Sequence, residues 1–292
     1  MTKTGARQRE DELRLSAPDT VSTVRVLPCA KPRCVLVFLH GLLGDSYSWN
    51  VFNHHQQPSE YADCYYVDFS FETLRVEALS FHLLVREVEQ LMLQIIAASP
   101  AGLPVVLVGN SFGGHLALHL AAHRTVPVDG LALFAPGGIE EVIGASQQMR
   151  AYRTVDRILE VSFERIFNDP SVAADMDLQL RVARYKERLE PVRREFIRNL
   201  FGLLRSIKTC MLSHDDLQTI AAQTLLIWGD QDIITPKLVC EVMLAHIPRA
   251  RVEWVSGGHA AFMEQPAASS RALREFCLAL GSPDGSGAQT AA

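Results

Sequence analysis

At 292 residues, with 48% hydrophobic and 21% charged side chains, the chain can bury a sizeable core and has the composition of an ordinary globular protein. A formal net charge of −5 argues against nucleic acid or an anionic membrane surface as partner, and no run approaches the ~18 apolar residues that a bilayer-spanning helix needs. A small molecule is the partner this composition favours, and without an apolar targeting segment the expected location is the cytoplasm.

Residues 1–20 are polar and read as a flexible N-terminus. Short β-rich runs then recur at 21–27, 34–39, 64–69, 105–108, 130–134, 224–228 and 251–255. Several are apolar throughout, as strands buried on both faces of a parallel sheet should be. Helical patterns between them, such as 85–98 and 237–246, imply βαβ crossovers. The expected fold is therefore α/β, a mostly parallel central sheet flanked by helices.

From 137 to 216 the alternation stops, leaving only amphipathic helical patterns. Asp169-Pro170 reads as an N-cap followed by Pro at the first helical position, and Glu190-Pro191 starts another helix in the same way. Beyond it Phe196, Leu200, Leu203 and Leu204 follow helical spacing, with Arg193, Arg194, Glu195 and Arg198 on the other side. This interval is expected to be a helical cap inserted between two parts of a sheet domain, 21–136 and 217–280. Its acidic and basic residues balance, which suits a solvated, salt-bridged surface rather than an anion funnel. Residues 281–292 (GSPDGSGAQTAA) have the composition of a disordered tail.

Six cysteines, Cys29, Cys34, Cys64, Cys210, Cys240 and Cys277, are scattered singly among apolar segments. They lack CxxC or zinc spacing and read as reduced, buried thiols. A Cys29 to Cys34 bridge across a hairpin stays open. His115, His119 and His123 recur at i, i+4 and i+8, a spacing that can present ligands on one helix face. The sequence lacks HExxH, however, and this helix should pack closely on the sheet, so no metal site is expected.

The chemistry concentrates at Gly109-Asn110-Ser111-Phe112-Gly113-Gly114, directly after the apolar run Val105-Val106-Leu107-Val108 and before a helix-forming stretch. A sharp strand-to-helix turn of this kind lifts a serine hydroxyl clear of the backbone, and the glycines let strand and helix crowd together. The helix N-terminus points free N–H groups toward any oxyanion formed there. A serine nucleophile also needs a base and an acid. Asp232 lies on the loop leaving 224–228, with Asp230 as competitor, and His259 lies on a glycine loop beyond 251–255. Their order, Ser111, Asp232, His259, is that of the nucleophile-elbow arrangement.

With these residues in view, the chain resembles capped serine hydrolases of the α/β-hydrolase superfamily over most of residues 21–280. His40-Gly41-Leu42-Leu43-Gly44 matches the family's oxyanion loop, which implies that the backbone N–H groups of Leu42 and Phe112 form the oxyanion hole; His40 would pack beneath that loop. Gly229-x-x-Asp232 with Pro236, and Gly258-His259 followed by Glu264-Gln265-Pro266, match the acid and base patterns. The resemblance implies two-step acyl transfer without a cofactor. Ser at the elbow, where epoxide hydrolases and haloalkane dehalogenases of the superfamily carry Asp, argues against their alkylating chemistry.

Substrate signals divide. The run His259 to Pro266 resembles esterases and lipase-like hydrolases. The elbow and Ala135-Pro136-Gly137-Gly138 resemble hydrolases that cleave carbon–carbon bonds in ring-fission products, and Arg181 sits where that resemblance places a substrate-binding cap arginine. Those enzymes carry Trp after the catalytic His, where this chain has Ala260, and an acidic-arginine-glycine loop where it has Asp68-Phe69-Ser70-Phe71. The expectation is a serine hydrolase acting on a small to medium ester-like carbonyl substrate. Carbon–carbon hydrolysis is the alternative, and a slow-turnover hydrolase-fold receptor stands as a third reading.

Overall fold

The computed structural model describes residues 11–13, 22–71, 79–140 and 166–280. The remainder of the expected N-terminal segment, residues 141–165 of the expected cap and the expected tail at 281–292 lie outside the described residues. Eight strands form one sheet: β1 (Asp11–Leu13), β2 (Ser22–Leu27), β3 (Cys34–Leu39), β4 (Ala62–Phe69), β5 (Val105–Asn110), β6 (Gly130–Phe134), β7 (Gln223–Gly229) and β8 (Ala250–Val255). Their spatial order is β1-β2-β4-β3-β5-β6-β7-β8. β1 pairs antiparallel with β2 and β2 antiparallel with β4; every other pairing is parallel. The expected flexible stretch thus contributes an edge strand, one too short to carry a period-two pattern.

The central strands are apolar because both of their faces are covered. In β3, Cys34, Leu36 and Phe38 enter one core cluster while Val35, Val37 and Leu39 enter the other. Alternation in β5 and β6 follows the same rule, as successive side chains on a pleated strand must. On one face lie α1 (Phe81–Ala98), α2 (Phe112–Ala122) and, after the cap, α5 (Lys237–His246). On the other, α6 (Pro266–Leu280) and the 3₁₀ segment Ser46–His54 supply Leu273, Phe276, Trp49 and Phe52.

In its described part the interval 137–216 is helical, principally α3 (Met176–Leu189) and α4 (Arg193–Ile207). Asp169 caps Pro170–Ala173 by accepting from the Ser171 N–H. Glu190-Pro191 opens a single 3₁₀ turn, from which α4 continues. Phe196, Leu200, Leu203 and Leu204 are buried in the same core as Leu84 and Phe81, so the cap shares the core of the sheet domain. Its two ends are pinned together: Leu212 N–H donates to the Gly138 carbonyl at 2.7 Å beside an Ile139–Leu212 bridge.

All six cysteines are free, and all except Cys29 are buried. The hairpin bridge left open by the sequence is not formed; the Cys29 N–H instead donates to Asp63 at 2.7 Å. Among the described residues no helix is long and apolar enough to cross a membrane.

Candidate active site

Ser111 sits between the end of β5 and the start of α2 with φ 50° and ψ −107°, a conformation that costs free energy for any residue with a Cβ. Its surroundings hold it there. The Ser111 N–H donates to the Phe134 carbonyl, and its own carbonyl accepts from the N–H groups of His115 and Gly137, each at 3.0 Å. A side chain at Gly109 would collide with the backbone of Gly113 and Gly114, and one at Gly113 with the Leu39 carbonyl. The elbow therefore requires glycine at both places. Beside it, the Asn110 amide donates to the Phe134 carbonyl at 3.0 Å.

The loop Gly41-Leu42-Leu43-Gly44, expected to hold an oxyanion, is tied down by His40. The Phe69 N–H donates to His40 Nε2 at 3.0 Å. That leaves the proton on Nδ1, which donates to the Gly41 carbonyl at 2.8 Å. His40 is fully buried and packs beneath the loop, as expected from the sequence. Leu42 lines the same pocket as Ser111, while Phe112 is the first residue of α2. The N–H of such a residue has no partner within its own helix.

β7 and β8 run parallel, so the loops leaving their ends emerge side by side. His259 Nδ1 donates to Asp232 Oδ2 at 2.9 Å, and both side chains are almost wholly buried. Asp230 is turned to another task, accepting from the Gly257 N–H at 3.1 Å. It is Asp232 that meets His259. Burial opposes ionisation of Asp232 more than any other single influence. Even so, the His259 charge and the hydrogen bonds from His259 and Thr235 together hold its carboxyl below the ordinary range.

Two residues of this cluster escaped sequence reading as functional. Thr235 Oγ1 donates to Asp232 Oδ2 at 2.7 Å and lies 3.2 Å from His259 Nδ1. Asp232 Oδ1 meanwhile accepts from the N–H groups of Ile234 and Thr235 at 2.8 and 2.9 Å. An aspartate followed two and three residues later by amides it can cap is a local turn signal, and that signal could have found Thr235. Glu264 was read only as part of a pattern. Its carboxylate accepts from the Gly258 N–H in the His259 loop and from the N–H groups of Asn168 and Asp169 at the edge of the cap.

Ser111, Leu42 and His259 share the wall of one pocket of about 120 Å³ with Arg181 from α3. Arg181 Nη2 donates to Asp45 Oδ1 at 2.9 Å, so its charge is already engaged. Of the helix histidines His115 is a core group, His119 is half-buried and His123 is exposed. His115 Nε2 donates to the Cys210 carbonyl at 2.9 Å and the ring stacks 4.2 Å from Phe81; burial, with a smaller effect from His119, lowers its pKa to about 4 against the raising influence of the Cys210 carbonyl. Burial and the neighbouring His123 and His82 lower His119 likewise to about 4. Among the described residues no three His, Cys, Asp or Glu side chains gather to hold a metal ion.

Known proteins share this architecture. A serine hydrolase from the polyaromatic hydrocarbon-degrading bacterium Cycloclasticus zankles superimposes with a TM-score of 0.72 at 19% identity, covering 92% of this chain and 97% of that one. The meta-cleavage product hydrolase CumD of Pseudomonas fluorescens IP01 does so with 0.68 at 21% identity, covering 87% and 93%. In sequence, monoacylglycerol lipase abhd6-B of Xenopus laevis is 28% identical over 194 residues, 62% of this chain. The matched region spans 57% of that relative's length. The model of the alpha/beta hydrolase family matches residues 36–272, a span that includes Ser111, Asp232 and His259, and the chain belongs to that family.

Proposed function

We propose that the chain is a serine ester hydrolase working through an acyl-enzyme, with Ser111 as nucleophile, His259 as general base and acid, and Asp232 as the group that orients the imidazole. The observation that carries this reading is the buried 2.9 Å pair of His259 and Asp232, whose imidazole lines the same pocket as Ser111. With Nδ1–H given to Asp232, Nε2 is the lone-pair nitrogen that takes the hydroxyl proton as Oγ adds to the ester carbonyl. The oxyanion accepts from the N–H groups of Leu42 and Phe112. Collapse breaks the bond to the alcohol, which leaves with the proton from His259. Water then repeats the sequence on the acyl-enzyme, releasing the acid and restoring the Ser111 hydroxyl. The scheme uses no cofactor.

A pocket of about 120 Å³ is a little smaller than the roughly 150 Å³ apolar cavity that accepts benzene, which suits a small to medium acyl group. The name of the Xenopus relative makes glycerol monoesters the natural first substrates to assay. Arg181 is the feature that favours carbon–carbon hydrolysis, but its pairing with Asp45 weighs toward esters.

The test is covalent labelling by a fluorophosphonate together with turnover of glycerol monobutyrate and of a vinylogous diketone acid. Labelling and ester turnover that both vanish in Ser111→Ala and His259→Ala support the reading. Faster turnover of the diketone acid would replace it with the carbon–carbon alternative, and tight ligand retention without labelling or turnover would replace it with the receptor. Labelling that survives in Ser111→Ala would overturn the assignment of the nucleophile.

A further inference from the structure

The pocket wall carries an ion pair whose two halves come from different parts of the fold. Arg181 projects from α3 of the cap, and Asp45 directly follows the oxyanion loop; both line the pocket. They meet at 2.9 Å with side chains 36% and 33% exposed, and the guanidinium lies 6.0 Å from the Tyr47 ring centroid.

Asp45 occupies an unusual situation for its residue type. It stands at the N-cap of the 3₁₀ segment Ser46–His54, where an aspartate ordinarily accepts from the first amides of the helix, yet its side chain makes no capping bond. Asp68 takes over that duty, accepting from both the N–H and the hydroxyl of Ser46. The Asp45 backbone is fixed separately, its carbonyl accepting from Ser48 N–H at 3.2 Å and Ser48 Oγ at 2.7 Å. Freed from the cap, the carboxylate reaches Arg181.

The consequence concerns the charge of the ligand. Leu43, Phe167, Leu178 and Val182 make the wall around the pair apolar. An acyl chain ending in a carboxylate must either displace Asp45 from the guanidinium or lie beside a like charge, and it surrenders its hydration in doing so. A neutral chain avoids both costs. We propose that Asp45 is a specificity-determining residue: by occupying Arg181 it makes the pocket select uncharged acyl groups over carboxylate-bearing ones.

The proposal rests on the ester-hydrolase reading for its turnover assay, whereas its effect on ligand charge can be measured without turnover. Hydrolysis of monomethyl adipate and methyl hexanoate is followed by pH-stat in wild type, Asp45→Asn, Arg181→Gln and the double variant, with Asp45→Ser as a second substitution. Asp45→Asn raises the ratio of kcat/KM for the anionic over the neutral ester by about tenfold or more, and the gain disappears when Arg181→Gln is added. In parallel, both esters are titrated calorimetrically into Ser111→Ala with and without Asp45→Asn, where only the anionic one gains affinity. If no protein hydrolyses either ester, the catalytic reading fails and the calorimetry alone decides. A ratio and an affinity that stay within twofold of the parent in both Asp45 variants, or a gain that persists without Arg181, would overturn the proposal.

Discussion

Thr235→Val removes one hydroxyl from the acid loop and little else. Thr235 is 1% exposed, its carbonyl accepts from Trp228 Nε1 at 2.8 Å, and valine keeps the shape of the side chain. The two backbone donors to Asp232 Oδ1 remain, so the principal loss is the 2.7 Å bond to Asp232 Oδ2, with the longer contacts to His259 Nδ1 at 3.2 Å and the Ala135 carbonyl at 3.4 Å. A hydrogen bond to a buried charged acceptor contributes about 1.5–3 kcal/mol. Felt fully in the transition state, that is roughly a 10- to 100-fold fall in kcat/KM. Steady-state kinetics on glycerol monobutyrate read this fall, and Thr235→Ser should restore the activity. A Val variant with wild-type kcat/KM, or a Ser variant as damaged as Val, would refute the reasoning.

Two further outcomes follow from the geometry. Asp232→Asn should lower kcat by orders of magnitude, because the amide can present the wrong partner to His259 Nδ1–H; Asp230→Asn should cost far less, since its carboxylate accepts from the Gly257 N–H and not from His259, and steady-state kinetics on the two variants separates them. His115 binds its proton at about 4 in the fold against an ordinary 6.5, so the unfolded chain is protonated first as pH falls and stability is lost between pH 6.5 and 4. At pH 5 this amounts to about 2 kcal/mol, and urea unfolding at pH 7.5 and 5.0 should show a correspondingly smaller loss in His115→Gln.

How much was legible in the sequence depended on how local each cause was. The apolar strands declared themselves, because burial on both faces leaves no room for polar residues. The elbow did so too, because close backbone approach at Gly109 and Gly113 admits only glycine. Strand ends extended by one or two residues, as in β7, whose polar first residue Gln223 carries no apolar signal. Sequence reading favoured Asp232 but left Asp230 in competition. Both lie on one loop, and the position of the β8 loop decides which of them faces His259. The Arg181–Asp45 pair was still less accessible, because its partners lie 136 residues apart and meet only once the cap has docked.

Docking of the helical interval on the sheet and placement of His259 are not independent events. One carboxylate, Glu264, accepts from the Gly258 N–H immediately before His259 and from the Asn168 and Asp169 N–H groups at the edge of the cap. The Ala260 N–H, immediately after His259, donates to the Ile166 carbonyl at 2.8 Å. The imidazole is thus flanked on both sides by backbone bonds that reach the cap. A displacement of residues 166–169 would draw on the same bonds that hold His259 against Asp232. Through Arg181 and Asp45 the helical interval also touches the segment that follows Gly44. A cap held at both of these places shapes the pocket and steadies the groups around it, and this explains why its helices share the core of the sheet domain instead of resting on it as a separate lid.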